Sequence, residues 1–231
     1  MSKGRAPAHD PACWSFLVPA AGSGDRLGDG PKCLLELAGE ALWQRAVRRA
    51  RQVADDVVLA VPAACVREIA AAAPSCRVIA GGETRQETVA ALLAAASCER
   101  LLVHDVARPF GSHALMRAVA ALADRTGAAG CLAACDSPVV DAPRGELAQV
   151  SAFAQAGLAA SPLAFHRAVL EDAYRHARDV GLVPRSTVEL VWSAGHPVHF
   201  VASERDNIKV TCPGDWQLAR MIVAAWDAEH G

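Results

Sequence analysis

The chain has 231 residues, 52% of them hydrophobic and 21% charged, and a formal net charge of -2. This length and composition predict one globular domain over residues 1–231 with a full hydrophobic core. The low net charge excludes a general attraction to nucleic acid or to an anionic membrane. No apolar run approaches the roughly 18 residues of a membrane span, so we expect a cytoplasmic protein with neither nucleic-acid nor membrane partners.

Residues 1–14 contain charges and two prolines, and they lack the continuous apolar stretch of a signal peptide. They are predicted to form a loose tail. The eight cysteines are scattered along the chain, which favours reduced thiols over a disulfide framework. Cys131 and Cys135 have no second pair nearby, so they do not indicate a zinc site.

Short apolar runs then alternate with longer segments of helical periodicity, a pattern that predicts an α/β fold with a mostly parallel sheet. The predicted strands are Ser15–Val18, Val57–Val61, Arg77–Ala80, Leu101–His104, Gly130–Ala134 and Val198–Ala202. The predicted helices are Leu42–Ala54, Glu83–Ala96, Ser112–Ala123, Pro162–Arg178 and Pro213–Ala228. Their expected first residues or caps include Thr84, Ser112, Ser161 and Pro213.

Two groups of side chains in these helices have structural interpretations. The arginines of the first helix are predicted to form a solvated face rather than a nucleic-acid patch; they are Arg45, Arg48, Arg49 and Arg51. Four tryptophans at helix-like positions are expected to pack in the core; they are Trp43, Trp192, Trp216 and Trp226.

The segment Asp136–Gln149 interrupts the alternation with two prolines, a glycine and several polar residues. It predicts an arm that leaves the sheet. Two interpretations stay open, a surface loop or an element that packs against a second subunit or closes over a ligand.

The most informative stretch is Pro19–Lys32, which follows the first predicted strand and contains four glycines. Small residues at a strand end let backbone N–H groups approach an anion closely, while Arg26 and Lys32 add positive charge. The stretch does not match a P-loop, since no Lys-Ser or Lys-Thr follows the glycines, and the third glycine of the dinucleotide fingerprint is absent after Gly22-x-Gly24. The pattern favours a binding site for a nucleoside triphosphate over a simple turn.

Asp105 follows the strand Leu101–His104, at the edge of the sheet where ligands bind in open α/β folds. His104 lies inside the apolar run and is predicted to be a buried, hydrogen-bonded side chain rather than a catalytic base. Arg108 is expected to pair with Asp105 or to organise the following turn.

Four ordered motifs together resemble the 2-C-methyl-D-erythritol 4-phosphate cytidylyltransferase family. They are Pro19–Lys32, the Gly-Gly-Glu-Thr-Arg-Gln-Glu-Thr-Val segment from Gly81, Val103–Phe110 and Asp206–Thr211. The resemblance covers nearly the whole chain. It implies a Rossmann-like sheet with helices on both faces, CTP and a small polyol phosphate as substrates, a Mg²⁺ ion, and a homodimer made with a protruding arm, here residues 136–149.

The resemblance also implies roles for individual residues. It assigns catalysis to Arg26, Lys32 and Lys209. It assigns nucleotide contacts to Pro19, Ala20, Ala21, Gly22, Gly24, Gly82, Glu83, Thr88, Asp105, Val106, Ala107 and Arg108. Acceptor contacts fall to Ser161 and Lys209, and the metal ligands to Asp105 and Asp206, whose carboxylates suit Mg²⁺.

The acceptor side departs from the family pattern. An arginine, a threonine and an acidic pair of the family correspond here to Phe153, Ser161 and the segment Arg185-Ser186-Thr187. The leading prediction is transfer of CMP to 2-C-methyl-D-erythritol 4-phosphate with release of pyrophosphate, for isoprenoid precursors. The alternatives are transfer to another polyol phosphate or phosphonate, and a non-catalytic nucleotide-binding relative.

Overall fold

The computed structural model describes residues 10–25, 27–28, 30–150 and 156–230. Its strands are β1 (Asp10–Pro19), β2 (Glu36–Leu37), β3 (Glu40–Ala41), β4 (Asp56–Val61), β5 (Arg77–Ala80), β6 (Cys98–Val103), β7 (Ala128–Ala134), β8 (Val140–Asp141), β9 (Gln149–Val150), β10 (Gly157–His166) and β11 (His199–Ala202). Its helices are α1 (Leu42–Ala50), α2 (Val66–Ala72), α3 (Arg85–Ala95), α4 (His113–Thr126), α5 (Arg167–Val180), α6 (Thr187–Ser193) and α7 (Pro213–His230).

A seven-stranded sheet forms the centre of the described structure, in the order β11-β7-β10-β6-β1-β4-β5. Strand β10 runs antiparallel to both of its neighbours, β6 and β7, and the other pairs in this sheet are parallel. The predicted α/β class and mostly parallel, Rossmann-like sheet are confirmed.

The central strands are buried on both faces, because successive side chains contact different hydrophobic clusters. In β1, Phe16 and Val18 belong to the cluster that α1, α2 and α7 complete, while Leu17 belongs to the cluster under α3, α5 and α6. This alternation explains why the strands are continuous apolar runs. Helices therefore cover both faces of the sheet, as predicted.

The first strand begins at Asp10, so the predicted tail of residues 1–14 is wrong for its last five residues. These residues extend the pairing of β1 with β6, where Asp10 lies opposite Cys98. A disulfide bond joins Cys13 to Cys98 across the two strands, and this corrects the expectation that all eight cysteines are reduced. Residues 1–9 lie outside the described residues.

Strand β10 corrects the predicted helix Pro162–Arg178, whose first five residues belong to the sheet. Leu163, Ala164 and Phe165 pair with β6 on one side and β7 on the other. Ser161 is therefore not a helix cap, and Pro162 lies where the pairing with β7 shifts its register, a position that tolerates a missing N–H. The helix begins at Arg167 instead.

Local signals located the other long helices well. Thr84 and Ser112 cap α3 and α4 by accepting hydrogen bonds from backbone N–H groups three residues later. The short helices α2 and α6 were not predicted, because each has only seven residues.

Two predictions about large side chains are wrong in part. Arg45 and Arg49 are buried rather than solvated, because α1 packs them under α7: Arg45 forms an ion pair with Asp227, and the Arg49 guanidinium lies 4.3 Å from the ring centre of Trp226. Trp192 is 70% exposed on α6 instead of packing in the core.

The predicted arm of residues 136–149 contains a two-stranded hairpin in which β8 pairs with β9. Its side chains are exposed, including the apolar Val140, Leu147 and Val150. Across the described chain, none of the helices has both the length and the apolar character needed to span a bilayer.

Candidate active site

A cavity of about 370 Å³ opens at the carboxyl ends of β1, β5 and β6. This is the edge of an open α/β sheet where ligands bind. The cavity is lined by Pro19, Ala21, Gly22, Ser23, Gly24, Asp25, Lys32, Gly82, Glu83, Thr84, Arg85, Thr88, Asp105, Val106, Ala107 and Lys209. The structure thus brings together most of the residues predicted to contact the nucleotide. We call this cavity the nucleotide pocket.

The glycine-rich loop forms one wall of the nucleotide pocket. Gly24 has a φ of +81°, and a Cβ at this position would lie 2.2 Å from the carbonyl oxygen of Gly30. Glycine is therefore required for the loop to fold back on itself. Ala20 lies behind this wall, is buried, and donates its N–H to the carbonyl of Ala60 (2.8 Å), so it supports the loop without lining the pocket. Arg26 lies outside the described residues.

Lys32 closes the loop by reaching across the sheet edge. Its Nζ donates a hydrogen bond to the carbonyl oxygen of Val210 at 2.7 Å. Val210 in turn donates its N–H to the carbonyl of Ala107 at 2.8 Å. These contacts place the ammonium group beside the segment that carries Lys209, although the two lysines are 177 residues apart in sequence.

The opposite wall is the turn before α3. A Cβ on Gly81 would lie 2.3 Å from the Cβ of Ala21, and one on Gly82 would lie 2.4 Å from the Cβ of Glu87. Gly82 donates its N–H to the Thr88 hydroxyl at 3.1 Å. Gly81 therefore allows the two walls to approach closely, and Gly82 allows the turn to pack against the first turn of α3.

Asp105 forms the floor of the nucleotide pocket and contacts two cations. Arg85 donates to Oδ1 through Nη2 (2.8 Å) and Nε (3.3 Å), and Lys209 Nζ lies 3.1 Å from Oδ2. Burial by itself would raise the pKa of the Asp105 carboxyl, but the charges of Arg85 and Lys209 outweigh burial and hold the pKa well below its usual range. Asp105 is therefore an anion over the whole physiological pH range.

A second cavity, of about 150 Å³, lies on the other side of these ion pairs. We call it the acceptor-side cavity. It is lined by Arg85, Asp105, Arg108, Ala159, Ala160, Ser161, Leu163, Arg185, Ser186, Thr187, Val188 and Lys209. Arg85, Asp105 and Lys209 line both cavities, so one ligand in each cavity would meet at this group of charges.

Strand β10 and the segment before Lys209 hold the acceptor-side cavity in place. The Ser161 hydroxyl accepts a hydrogen bond from the Asp105 N–H at 3.1 Å, and its carbonyl accepts one from Asn207 Nδ2 at 2.9 Å. Arg108 lines this cavity rather than the nucleotide pocket, and its Nη1 donates to the carbonyl of Asn207 at 2.6 Å. Arg108 thus holds the distant turn around Asn207, rather than the turn after Asp105 that it was predicted to organise.

Only one of the two predicted metal ligands lines the cavities. Asp105 lines both cavities, but Asp206 lines neither; the Asp206 carbonyl closes a tight turn by accepting from the Ile208 N–H (2.6 Å). Among the described residues, no group of three or more His, Cys, Asp or Glu side chains could hold a metal ion. The donor set suits a Mg²⁺ that takes most of its ligands from phosphate and water, with a protein carboxylate such as Asp105 adding an oxygen.

His104 is buried and supports the pocket floor from behind. Its Nε2 lies 2.9 Å from the Arg108 carbonyl, so the neutral ring donates this hydrogen bond from Nε2. Burial lowers the pKa of His104 to about 4. The prediction of a buried, hydrogen-bonded histidine is confirmed.

Comparison with known proteins identifies the protein family that has this site. A model of the 2-C-methyl-D-erythritol 4-phosphate cytidylyltransferase family matches residues 15–225. The chain belongs to this family. The enzyme of that name from Thermus thermophilus is 38% identical over 218 residues, which cover 93% of this chain and 99% of the relative. The enzyme of that name from Deinococcus radiodurans is 35% identical over 211 residues, 91% of this chain and 90% of the relative.

Solved structures of cytidylyltransferases have the same fold. The crystal structure of the Thermus thermophilus enzyme matches with a TM-score of 0.77 and 33% sequence identity, over 91% of this chain and 98% of that one. The Francisella tularensis enzyme matches with a TM-score of 0.80 at 21% identity, over 91% of this chain and 99% of that one. The second of these likenesses concerns the fold alone.

Two residues that join the cavities were given no role from the sequence, Arg85 within a quoted motif and Thr187 within the segment from Arg185. Arg85 connects the cavities, because its Nη1 also donates to the Thr187 hydroxyl at 2.8 Å. Arg85 lies in a quoted motif, and its place in the first turn of α3 was a usable signal. Thr187 carried no such signal, since it begins a short helix that was not predicted.

Proposed function

We propose that this chain transfers CMP from CTP to 2-C-methyl-D-erythritol 4-phosphate and releases pyrophosphate. The observation that carries the proposal is the Arg85–Asp105–Lys209 group, which separates a glycine-walled pocket from a second, cationic cavity. Family membership supports the identity of both substrates.

The chemical step is an in-line displacement at phosphorus. A phosphate oxygen of the acceptor forms a bond to the α-phosphorus of CTP, and the bond to the bridging α,β-oxygen breaks, so pyrophosphate leaves with that oxygen. The attacking phosphate is already anionic near neutral pH, so positioning and charge stabilisation suffice without a general base.

Each cation has a place in this scheme. Lys32 at the closed end of the loop stabilises charge that develops on the triphosphate, and the loop N–H groups add to it. Lys209 lines both cavities and therefore faces both the attacking phosphate and the α-phosphate. Arg26, outside the described residues, is assigned to the triphosphate on sequence grounds.

A Mg²⁺ ion is part of the proposal. When bound, it neutralises charge on the triphosphate oxygens. Asp105 is the residue that would hold it, while its ion pairs with Arg85 and Lys209 keep the carboxylate ionised and oriented. Asp206, which lines neither cavity, is left out of the proposed site.

Pyrophosphate release tests the proposal directly. The purified chain is mixed with CTP, Mg²⁺ and 2-C-methyl-D-erythritol 4-phosphate, and both products are measured, pyrophosphate and the cytidine diphosphate ester of the methylerythritol. Parallel reactions replace CTP by ATP or UTP, replace the acceptor by glycerol 3-phosphate or ribitol 5-phosphate, or add EDTA. We expect turnover with CTP and the methylerythritol phosphate and its loss with EDTA. Measurable CTP binding without turnover on any acceptor would contradict the proposal.

We also propose a cytoplasmic homodimer that assembles through the arm of residues 136–149. Its support is the exposed apolar surface of the hairpin, where Leu147 and Val150 face solvent. Leu147→Asp with Val150→Asp should convert a dimer to a monomer in light scattering after size exclusion. Met221→Asp, a change of an equally apolar exposed residue on α7, should leave the dimer intact. Identical masses for the wild type, the double variant and Met221→Asp would argue against a dimer interface in the arm.

A further inference from the structure

The acceptor-side cavity is strongly cationic. Four positive side chains line it, namely Arg85, Arg108, Arg185 and Lys209, against the single carboxylate of Asp105. Such an excess of positive charge suits a ligand that carries a phosphate dianion. The question is which of the four cations is available to bind that phosphate.

Three of the four already have partners within the protein, and of these Lys209 has a side chain that is 41% exposed and can add a ligand to its ion pair. Arg85 donates to Asp105 and Thr187, and Lys209 is paired with Asp105. Arg108 is mostly buried and holds the Asn207 carbonyl. Turning Arg85 or Arg108 toward a ligand would break part-buried hydrogen bonds, so these two form the wall of the cavity.

Arg185 differs from the others in exposure and in its contacts. Its side chain is 92% exposed, and in the described part of the chain its side chain makes one ion pair, from Nε to Glu189 Oε2 at 3.7 Å. The same carboxylate oxygen accepts the Arg185 N–H at 2.7 Å, which fixes the backbone while the side chain stays at the rim. Arg185 can therefore turn its terminal nitrogens onto a ligand without breaking a buried contact.

We propose that Arg185 binds the phosphate of the acceptor and makes this chain select phosphorylated polyols. A guanidinium can bind two phosphate oxygens at once, and Lys209 faces the same cavity from its inner end. The acceptor phosphate would lie between these two cations, with its third oxygen directed at the nucleotide pocket. The inference rests on the proposed cytidylyl transfer and adds the residue that recognises the acceptor.

Steady-state kinetics of Arg185→Ala test the assignment. We expect the KM for 2-C-methyl-D-erythritol 4-phosphate to rise by about 10- to 100-fold, the effect of losing a charged hydrogen bond. The KM for CTP and the kcat at saturating acceptor should change less than about threefold, since Arg185 does not line the nucleotide pocket. The acceptor KM of Arg185→Lys should lie between those of the wild type and Arg185→Ala, because an ammonium group cannot bind bidentately.

Arg175→Ala is the matched control. Arg175 is an exposed arginine on α5 that is ion-paired with Asp172 and lines neither cavity. This variant should keep the wild-type KM for both substrates. An unchanged acceptor KM in Arg185→Ala, or an equal rise in Arg175→Ala, overturns the proposal.

Calorimetric titration separates this proposal from the proposed reaction. The methylerythritol phosphate and the unphosphorylated polyol are each titrated into the wild type and into Arg185→Ala with CTP and EDTA present, so that the heat reports binding without turnover. If Arg185→Ala binds the phosphorylated ligand more weakly than the wild type does, but binds the unphosphorylated polyol equally well, the result supports the role of Arg185. This conclusion holds even if no pyrophosphate is released and the proposed reaction is wrong. If the two proteins bind the methylerythritol phosphate with equal affinity, or the wild type does not bind it, the proposed role of Arg185 is wrong, whatever the turnover.

Discussion

The nucleotide pocket and the acceptor-side cavity share Arg85, Asp105 and Lys209, but they are built from different parts of the chain. The walls of the nucleotide pocket are mostly backbone and small side chains at strand ends, with Gly24, Gly81 and Gly82 permitting close approach. The acceptor-side cavity is built from side chains on β10 and at the start of α6.

This difference has a consequence for specificity. A backbone-walled pocket recognises phosphate and sugar groups that all nucleoside triphosphates share, and it tolerates few substitutions because its walls touch. A cavity lined by side chains rather than backbone can change its ligand by single substitutions. We therefore expect changes in the nucleotide pocket to abolish chemistry, and changes at the acceptor rim to alter the affinity for the acceptor.

The largest effect is expected for Lys32→Ala, which tests whether the nucleotide pocket carries the chemistry. Loss of a cation directed at developing phosphate charge should lower kcat by about 100- to 1,000-fold. The Kd for CTP, measured by calorimetry, should rise by less than about tenfold. Lys32→Arg keeps the charge and should retain more activity than the alanine variant. Wild-type kcat in Lys32→Ala would contradict the proposed role.

A smaller effect is expected for Arg85→Gln, which breaks the junction between the cavities. Asp105 loses two hydrogen bonds and Thr187 loses one, so kcat/KM for the acceptor should fall by about 10- to 100-fold. Because Arg85 lowers the pKa of Asp105, its removal raises that pKa. The acidic limb of the pH–rate profile should therefore move to higher pH, a change that a merely structural role does not produce.

Arg100→Ala is the control for this experiment. The Arg100 side chain is 35% exposed and lies 3.0 Å from Asp124, similar to the 33% exposure and 2.8 Å distance of Arg85 to Asp105. Arg100 lines neither cavity, so its variant should keep the wild-type rate and pH profile. If both variants lose activity equally, the junction has no special role.

The smallest effect concerns stability rather than rate, and it arises from His104 behind the nucleotide pocket. Its pKa is lowered by burial to about 4. The unfolded chain therefore binds a proton near pH 6.5 that the folded chain does not bind until about pH 4. The contribution of His104 is complete well above pH 6.5 and is lost as the pH falls, by about 2 kcal/mol between pH 7.5 and pH 5.

Urea denaturation at pH 7.5 and pH 5 measures this loss. His104→Gln keeps a side-chain donor for the Arg108 carbonyl and should show a smaller decrease in the free energy of unfolding than the wild type. His199→Gln, at an exposed position of β11, should behave like the wild type. An unchanged pH slope in His104→Gln would mean that His104 is charged in the folded protein.

Much of the nucleotide pocket could be predicted because its requirements are local. Each signal lies within one short stretch of sequence: a strand that ends in glycines, a capped helix after Gly82, and a carboxylate that follows a buried strand. Lys32 and Lys209 could be placed together only through the family resemblance, and the Val210 carbonyl that holds Lys32 follows from the fold. Arg85 was overlooked because its partners Asp105 and Thr187 are 20 and 102 residues away.

The errors share a physical cause. Pro162 and the apolar residues after it suit the start of an amphipathic helix, but pairing with β6 and β7 makes them the antiparallel strand of the sheet. Arg45 and Arg49 look solvated by helical periodicity, but α7 covers them and supplies Asp227 and Trp226. In each case a long-range contact outweighed a local preference.

The sequence by itself determined the α/β class, the glycine loop and the residues around Asp105, because these depend on backbone conformation and on the burial pattern of single elements. The tertiary structure alone decided that β10 is a strand and that Asp206 lines neither cavity. It also decided that Arg85 lines both cavities and contacts Thr187. These features depend on which distant elements pack together, and packing is a property of the whole chain.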